Sequence, residues 1–246
     1  MVGRYTHAHQ FKRARRELKF LRTRLGRIIR DIRRKIEGDP ALEDRFGPLL
    51  DLAHRVRHQE RRQRGPKVYS LHAPEVECIG KGKARAPFGC KVSIATPATA
   101  PKGGQFVLHA KALHGNPYDG HTLGPVIADL EKLTGVAARR IHGDKGYRGH
   151  NYPDRFKVWI SGQVRRVTKA IRREMRRRAA VEPVIGHLKD DHRMRRNYLK
   201  GRDSDRINAV LAAAGFNFRL LLRWFERLLR ALLLILSRAF TSPRLA

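Results

Sequence analysis

The chain has 246 residues, 41% of them hydrophobic, enough for one sizeable core or for one domain carrying a long insertion, and too polar on average for a membrane protein. Its 54 lysines and arginines against 22 acidic residues give a formal charge of +32, which makes nucleic acid the expected partner. Leucine, isoleucine, valine and phenylalanine recur at regular spacing throughout, and that excludes a disordered basic tail.

The charge is uneven. Residues 1–67 carry 20 basic and 8 acidic groups, residues 68–160 carry 13 and 7, and residues 161–246 carry 21 and 7, so the two ends are the basic parts. Residues 1–10 contain no apolar run of the kind a secretory signal needs, and the expected location is cytoplasmic. Two cysteines, Cys78 and Cys90, form neither a disulfide framework nor a zinc knuckle at their spacing.

From Phe11 to Glu37 the residues Phe11, Leu18, Leu25 and Ile32 fall seven apart, with Ala14, Leu21 and Ile28 as a second row. That spacing predicts a long amphipathic helix, whose other faces carry Lys12, Arg13, Arg16, Lys19, Arg27, Arg30 and Arg34. Gly38, Asp39 and Pro40 supply stop and turn chemistry, and Ala41 to Gln63 repeats the helical pattern, so residues 1–66 read as a basic helical hairpin.

After Pro66 the period becomes extended. Lys67–Leu71, Val76–Ile79, Cys90–Thr96 and Gln105–Ala110 are short β-rich runs between glycines and prolines, the pattern of consecutive antiparallel strands. Thr122–Leu133 reads as a helix ended by Gly135, Arg139–Gly143 as a strand ending at Asp144, and Phe156–Ile160 as another. From Lys169 onward the chain reads helical. Arg219, Arg223, Arg227 and Arg230 interrupt the leucines of Phe216–Phe240, making that segment amphipathic and ruling out a membrane span. Trp224 and Phe225 read as core of these terminal helices. The whole is an α+β chain of three parts: residues 1–66, 67–200 and 201–246.

Two stretches could carry chemistry. In His142-Gly143-Asp144-Lys145-Gly146-Tyr147-Arg148-Gly149-His150, a carboxylate at a strand end between glycines can hold a divalent cation while Lys145 and Arg148 approach phosphate oxygens. The same residues also suit a solvated turn whose aspartate caps backbone amides. In the second stretch, Arg178 and Lys189 lie four before and seven after Glu182, offsets that bring all three toward one helical face at about 100° per residue. That suits a metal ligand beside a nucleic-acid backbone, and equally an ordinary i, i+4 surface pair. Pro183 must kink the helix or begin it there.

The segments K-G-K-A-R at 81–85, G-N-P-Y-D-G-H-T-L at 115–123, D-K-G-Y-R-G-H at 144–150 and R-x-x-x-E-x-x-x-x-x-x-K at 178–189, in that order, resemble the DDE transposases of bacterial insertion sequences, in the group with a tyrosine-arginine-glutamate-lysine signature. The resemblance makes Asp144 the second catalytic aspartate and metal ligand, Glu182 the catalytic glutamate and metal ligand, and Arg178 and Lys189 the signature's arginine and lysine. Met175 stands at the tyrosine's place. It implies a ribonuclease-H-like mixed sheet, Mg2+ or Mn2+ as cofactor, transposon ends and double-stranded DNA as partners, and Lys145, Arg148, Arg178 and Lys189 as DNA contacts.

The first catalytic aspartate of that family, on the central strand, has no counterpart here. Asp31, Asp39, Asp44 and Asp51 all lie inside or between predicted helices. The expectation is therefore a C-terminal part of a transposase, N-terminally truncated, its first strand missing and residues 1–66 being the family's helical insertion. Alone it should be inactive, and self-associating, as a homodimer for example, through an exposed sheet edge. The rival reading is a non-catalytic basic nucleic-acid-binding protein, which needs neither Asp144 nor Glu182.

Overall fold

In the computed structural model, residues 1–60, 63, 65, 67–79 and 88–241 are described, with side chains as far as residue 237. The K-G-K-A-R segment at 81–85 lies outside the described residues. The chain forms two compact units, Met1–Cys78 and Ile79–Ala246.

In the first unit a short helix α1 (Val2–His7) precedes α2 (Phe11–Ile36) and α3 (Pro40–His58). The hairpin between α2 and α3 follows from its turn chemistry. Gly38 takes φ +86°, which an L side chain adopts only with strain. The Asp39 carboxylate accepts from the N–H groups of Ala41 and Leu42, both at 3.1 Å, and Pro40 stands at the first helical position, where no N–H is needed. Ile29, Ile36 and Leu50 are buried, with Leu25, Ile32, Leu42 and Ala53 packed around them.

This core corrects the seven-residue rows. Phe11, Leu18 and Leu21 are exposed because α3 has 19 residues against the 26 of α2 and ends near Arg22, whereas Ile28 is exposed because it lies off the face that carries Leu25, Ile29, Ile32 and Ile36. Arg22 Nε donates to the Arg57 carbonyl at 2.9 Å, which marks where α3 runs out along its neighbour. Lys12, Arg13, Arg16, Lys19, Arg27, Arg30 and Arg34 are all exposed.

After a two-residue strand at Phe88–Gly89, the second unit forms an antiparallel pair, β1 (Lys91–Ala95) and β2 (His109–Leu113), in a register that sets Lys91 opposite Leu113 and Ala95 opposite His109. The strand expected at Gln105–Ala110 starts later because Gly103 and Gly104, both at positive φ, lengthen the connection. The backbone N–H and carbonyl of Val107 are instead satisfied by the Asn217 side-chain amide, at 2.8 Å each. Lys67–Leu71 forms no strand. Next come α4 (Leu123–Thr134), capped by Gly135 in the left-handed region, and a parallel pair, β3 (Ile141–Gly143) and β4 (Val158–Ile160). Among the described residues no pairing joins the antiparallel pair to the parallel one.

The rest is helical: α5 (Lys169–Arg177), a 3-10 turn at Arg178–Ala180, α6 (Val181–Asp190) and α7 (Arg202–Thr241). The 3-10 turn lies one turn before Pro183, whose ring and missing N–H oppose a regular bond to residue 179. The expected C-terminal helices are one helix of 40 residues. Its first part supplies Ala212, Ala213 and Phe216 to a cluster with Val107, Val184 and Leu188, whereas Phe218, Leu222, Trp224, Phe225, Leu228 and Leu229 are exposed. Trp224 and Phe225 are therefore not core residues. A second cluster, of Leu123, Ile127 and Val158, packs α4 on the parallel pair.

Leu188 is fully buried, so Leu188→Ala should cost about 2–5 kcal/mol of stability from lost apolar contact and a residual cavity. Urea unfolding of the full chain should show it, and a loss below about 0.5 kcal/mol would place Leu188 outside the core.

Candidate functional site

β3 delivers Asp144 to the turn that follows it. The side chain caps the 3-10 turn Lys145–Tyr147, its Oδ1 accepting from the Gly146 N–H at 2.8 Å. The amide-capping reading of Asp144 therefore holds. It does not exhaust what the carboxylate does.

A second turn meets this one. Asp119 opens the 3-10 turn Asp119–His121, and a Cβ placed on Gly146 would stand 2.6 Å from Asp119 Oδ2 and 2.9 Å from Asp144 Oδ1. The two carboxylate oxygens are thus no more than about 5.5 Å apart, the close placement that carboxylates sharing a divalent cation use. Glycine is required on both sides of the junction, since a Cβ on Gly120 would lie 2.9 Å from the Cα of His150 and 2.7 Å from the Tyr118 ring. The Tyr118 hydroxyl donates to the Arg148 carbonyl and ties the two turns together.

Two like charges at this separation repel, and Lys91 partly offsets them. Its Nζ lies 3.1 Å from Asp119 Oδ1 and donates to the Pro117 carbonyl at 2.6 Å. Tyr147 registers the carboxylates' field: burial pushes its phenol pKa up, and Asp119 and Asp144 push it further, against hydrogen bonds from Ser93 and Thr122.

Behind the strand, Glu174 on α5 fixes the other face of β3. Arg140 grips it with Nε at 2.8 Å and Nη2 at 2.7 Å, while His142 Nε2 lies 3.0 Å from its Oε2. Burial pushes the Glu174 carboxyl up, but the Arg140 and His142 hydrogen bonds outweigh it and leave the group below its ordinary value. Glu174 was not among the residues expected from the sequence, and Asp119 was among them only as an aspartate that could stand in for the missing third ligand. Asp119 sits in the G-N-P-Y-D-G-H-T-L segment, whose aspartate beside glycine was the available signal.

The remaining expected residues are placed as follows. Lys145 and Arg148 are exposed on the Asp144 turn. Glu182 lies in the first turn of α6, 63% exposed, with Arg178 Nη2 at 3.7 Å, the i, i+4 pair anticipated for it. Lys189 is exposed at the far end of α6. Arg178 stands in the 3-10 turn and still reaches Glu182 across it, while Glu182 and Lys189 both lie in α6. The structure brings Asp144 together with Asp119, and Glu182 with Arg178.

Comparison with known proteins adds one finding. Residues 142–222 match the family profile of the transposase DDE domain. The matched stretch takes in Asp144, Arg178, Glu182 and Lys189 and ends inside α7. No curated protein and no solved structure matches the chain. No described helix is long and apolar enough to cross a membrane.

The Glu174 contacts make a pH prediction. Its folded-state pKa is lowered from 4.5, so its contribution is complete above pH 4.5 and is lost as pH falls through the lower folded value. Glu174→Gln should cost about 1–2 kcal/mol at pH 7 and flatten the loss of stability below pH 4.5. Denaturant unfolding across pH 3–7 checks this, and a variant with the parent's stability and acid slope would refute it.

Proposed function

We propose that this chain works in DNA transposition, binding double-stranded DNA and placing a divalent cation, Mg2+ or Mn2+, between Asp119 and Asp144 against a phosphodiester. The observation that carries the reading is the meeting of two carboxylates at Gly146, at the end of a strand, with Asp144 and Gly146 inside the stretch that matches the transposase DDE domain and Asp119 before it. The donors suit such an ion: two carboxylate oxygens that both approach the space beside Gly146. The cation, when bound, would polarise a phosphate oxygen and lower the pKa of an attacking water or 3′-hydroxyl.

The protein's own residues do the rest. Lys145 and Arg148, exposed on the same turn as Asp144, hold the phosphates that flank the scissile one. Arg178 and Lys189 do so along α6, and Glu182 is the carboxylate that the resemblance adds. We read the parallel pair β3 and β4 as belonging to a ribonuclease-H-like sheet. The exposed arginines of α2 supply the sequence-independent part of DNA affinity.

The rival reading, a basic binder with no metal chemistry, differs in sign. Divalent cations compete for phosphates, so they should only weaken a purely electrostatic binder. Here, Mg2+ or Mn2+ at low millimolar level should strengthen binding of duplex DNA at fixed ionic strength, and Asp144→Asn should remove that gain while leaving metal-free binding within about twofold. Fluorescence anisotropy with a labelled duplex measures both. Uniform weakening by the cation in parent and variant would favour the basic binder.

A further inference from the structure

Away from the carboxylate pair, three potential ligands of different chemistry converge within the second unit. Cys90 directly precedes β1, His114 directly follows β2, and Asp205 stands in the first turn of α7. One atom from each, the Cys90 sulfur, a His114 ring nitrogen and an Asp205 carboxylate oxygen, all lie within 4.8 Å of one another. Sγ of Cys90 is 3.5 Å from Nδ1 of His114, and Oδ2 of Asp205 is 3.9 Å from the same nitrogen. Two ligands on one tetrahedral zinc at ordinary bond lengths stand roughly 3.4–3.6 Å apart, so the two separations at His114 Nδ1 need to close by no more than a few tenths of an ångström.

Two of the three ligands are oriented from behind. His114 Nε2 is 3.2 Å from the Arg202 carbonyl. Donating there puts the proton on Nε2 and leaves the Nδ1 lone pair facing the sulfur and the carboxylate. Asp205 Oδ1 accepts from the Asn197 amide at 2.9 Å, which leaves Oδ2 to face His114. Such outer contacts are what fix metal ligands in place. The side chains of His114 and Asp205 are only 12% and 22% exposed.

The same trio could be read as a cysteine nucleophile with its base and orienting acid. The geometry argues against it. In a nucleophilic triad the sulfur and the carboxylate engage opposite ring nitrogens, whereas here both face Nδ1 and a backbone carbonyl takes Nε2. We propose that Cys90, His114 and Asp205 form a zinc site, with a fourth position open to water, that clasps the ends of the β1–β2 pair to the start of α7. Thiolate, imidazole and carboxylate together select zinc over the hard cations expected at the aspartate pair. Binding releases the Cys90 thiol proton, so affinity rises with pH.

Cobalt(II) is the probe. The full chain, stripped with chelator, should take up one Co2+ with a near-ultraviolet thiolate-to-cobalt band that Zn2+ displaces. Cys90→Ser should abolish the band, while Cys78→Ser and Asp144→Asn should keep it. Asn197→Ala, which leaves all three ligands in place, should weaken Co2+ binding about 10–100-fold, and far-UV circular dichroism of each variant confirms folding. Absence of a thiolate band in the folded parent, or an undiminished band in folded Cys90→Ser, would overturn the proposal. Loss of the band in Asp144→Asn, folded as the parent, would place the metal at the aspartate pair and overturn it too.

Discussion

The candidate site depends on a contact between two turns that only glycines permit. Gly146 leaves room for the Asp119 and Asp144 carboxylates to approach, and Gly120 lets the Asp119 turn rest on the backbone of His150. Neither glycine is at positive φ, so the requirement is for space and not for backbone freedom. The cost of bringing two carboxylates together is reduced by Lys91, which bonds one of them from β1. Three elements far apart in sequence thus meet on one acidic point in a chain that is otherwise strongly basic.

That point stands on two hydrophobic clusters. Leu123, Ile127 and Val158 hold α4 against the parallel strands and so fix the start of the Asp144 turn. Val184 and Leu188 hold α6, with Glu182 one turn away, against α7 and Val107. Asp144 and Glu182 are therefore each set by a different core, and α5 links the two through the grip of Arg140 and His142 on Glu174. Lys145, Arg148 and Lys189 are exposed, and Lys189 stands on α6, which also carries the buried Val184 and Leu188.

Local periodicity made much of the fold readable. The helix read at Phe11 to Glu37 runs Phe11–Ile36, the one read at Thr122 to Leu133 runs Leu123–Thr134, and the strand read at Arg139 to Gly143 occupies its last three residues, because apolar spacing, Gly38 and Gly135 are all local signals. What depends on partners was not readable. Leu18 stands in the same seven-residue row as Leu25 and Ile32 and looks no different in the sequence, yet only the reach of α3 decides which of them is covered. Trp224 and Phe225 look like core and are exposed for the same reason. Asp119 and Asp144 are 25 residues apart, and Cys90, His114 and Asp205 span more than a hundred, so neither group has a spacing pattern. The D-K-G-Y-R-G-H segment was informative because its carboxylate, glycine and cations lie within one turn.

The central claim is that Asp119 and Asp144 share a divalent cation in the space left by Gly146. Titration of the full chain with Mn2+, followed by electron paramagnetic resonance, tests it most directly when Asp119→Asn and Gly146→Ala are compared with the parent. The account predicts that both variants, folded as the parent by circular dichroism, lose the tightest Mn2+ site by at least about tenfold in affinity, one by removing a ligand and the other by filling the space between ligands. Parent-like Mn2+ binding in folded Asp119→Asn would contradict it.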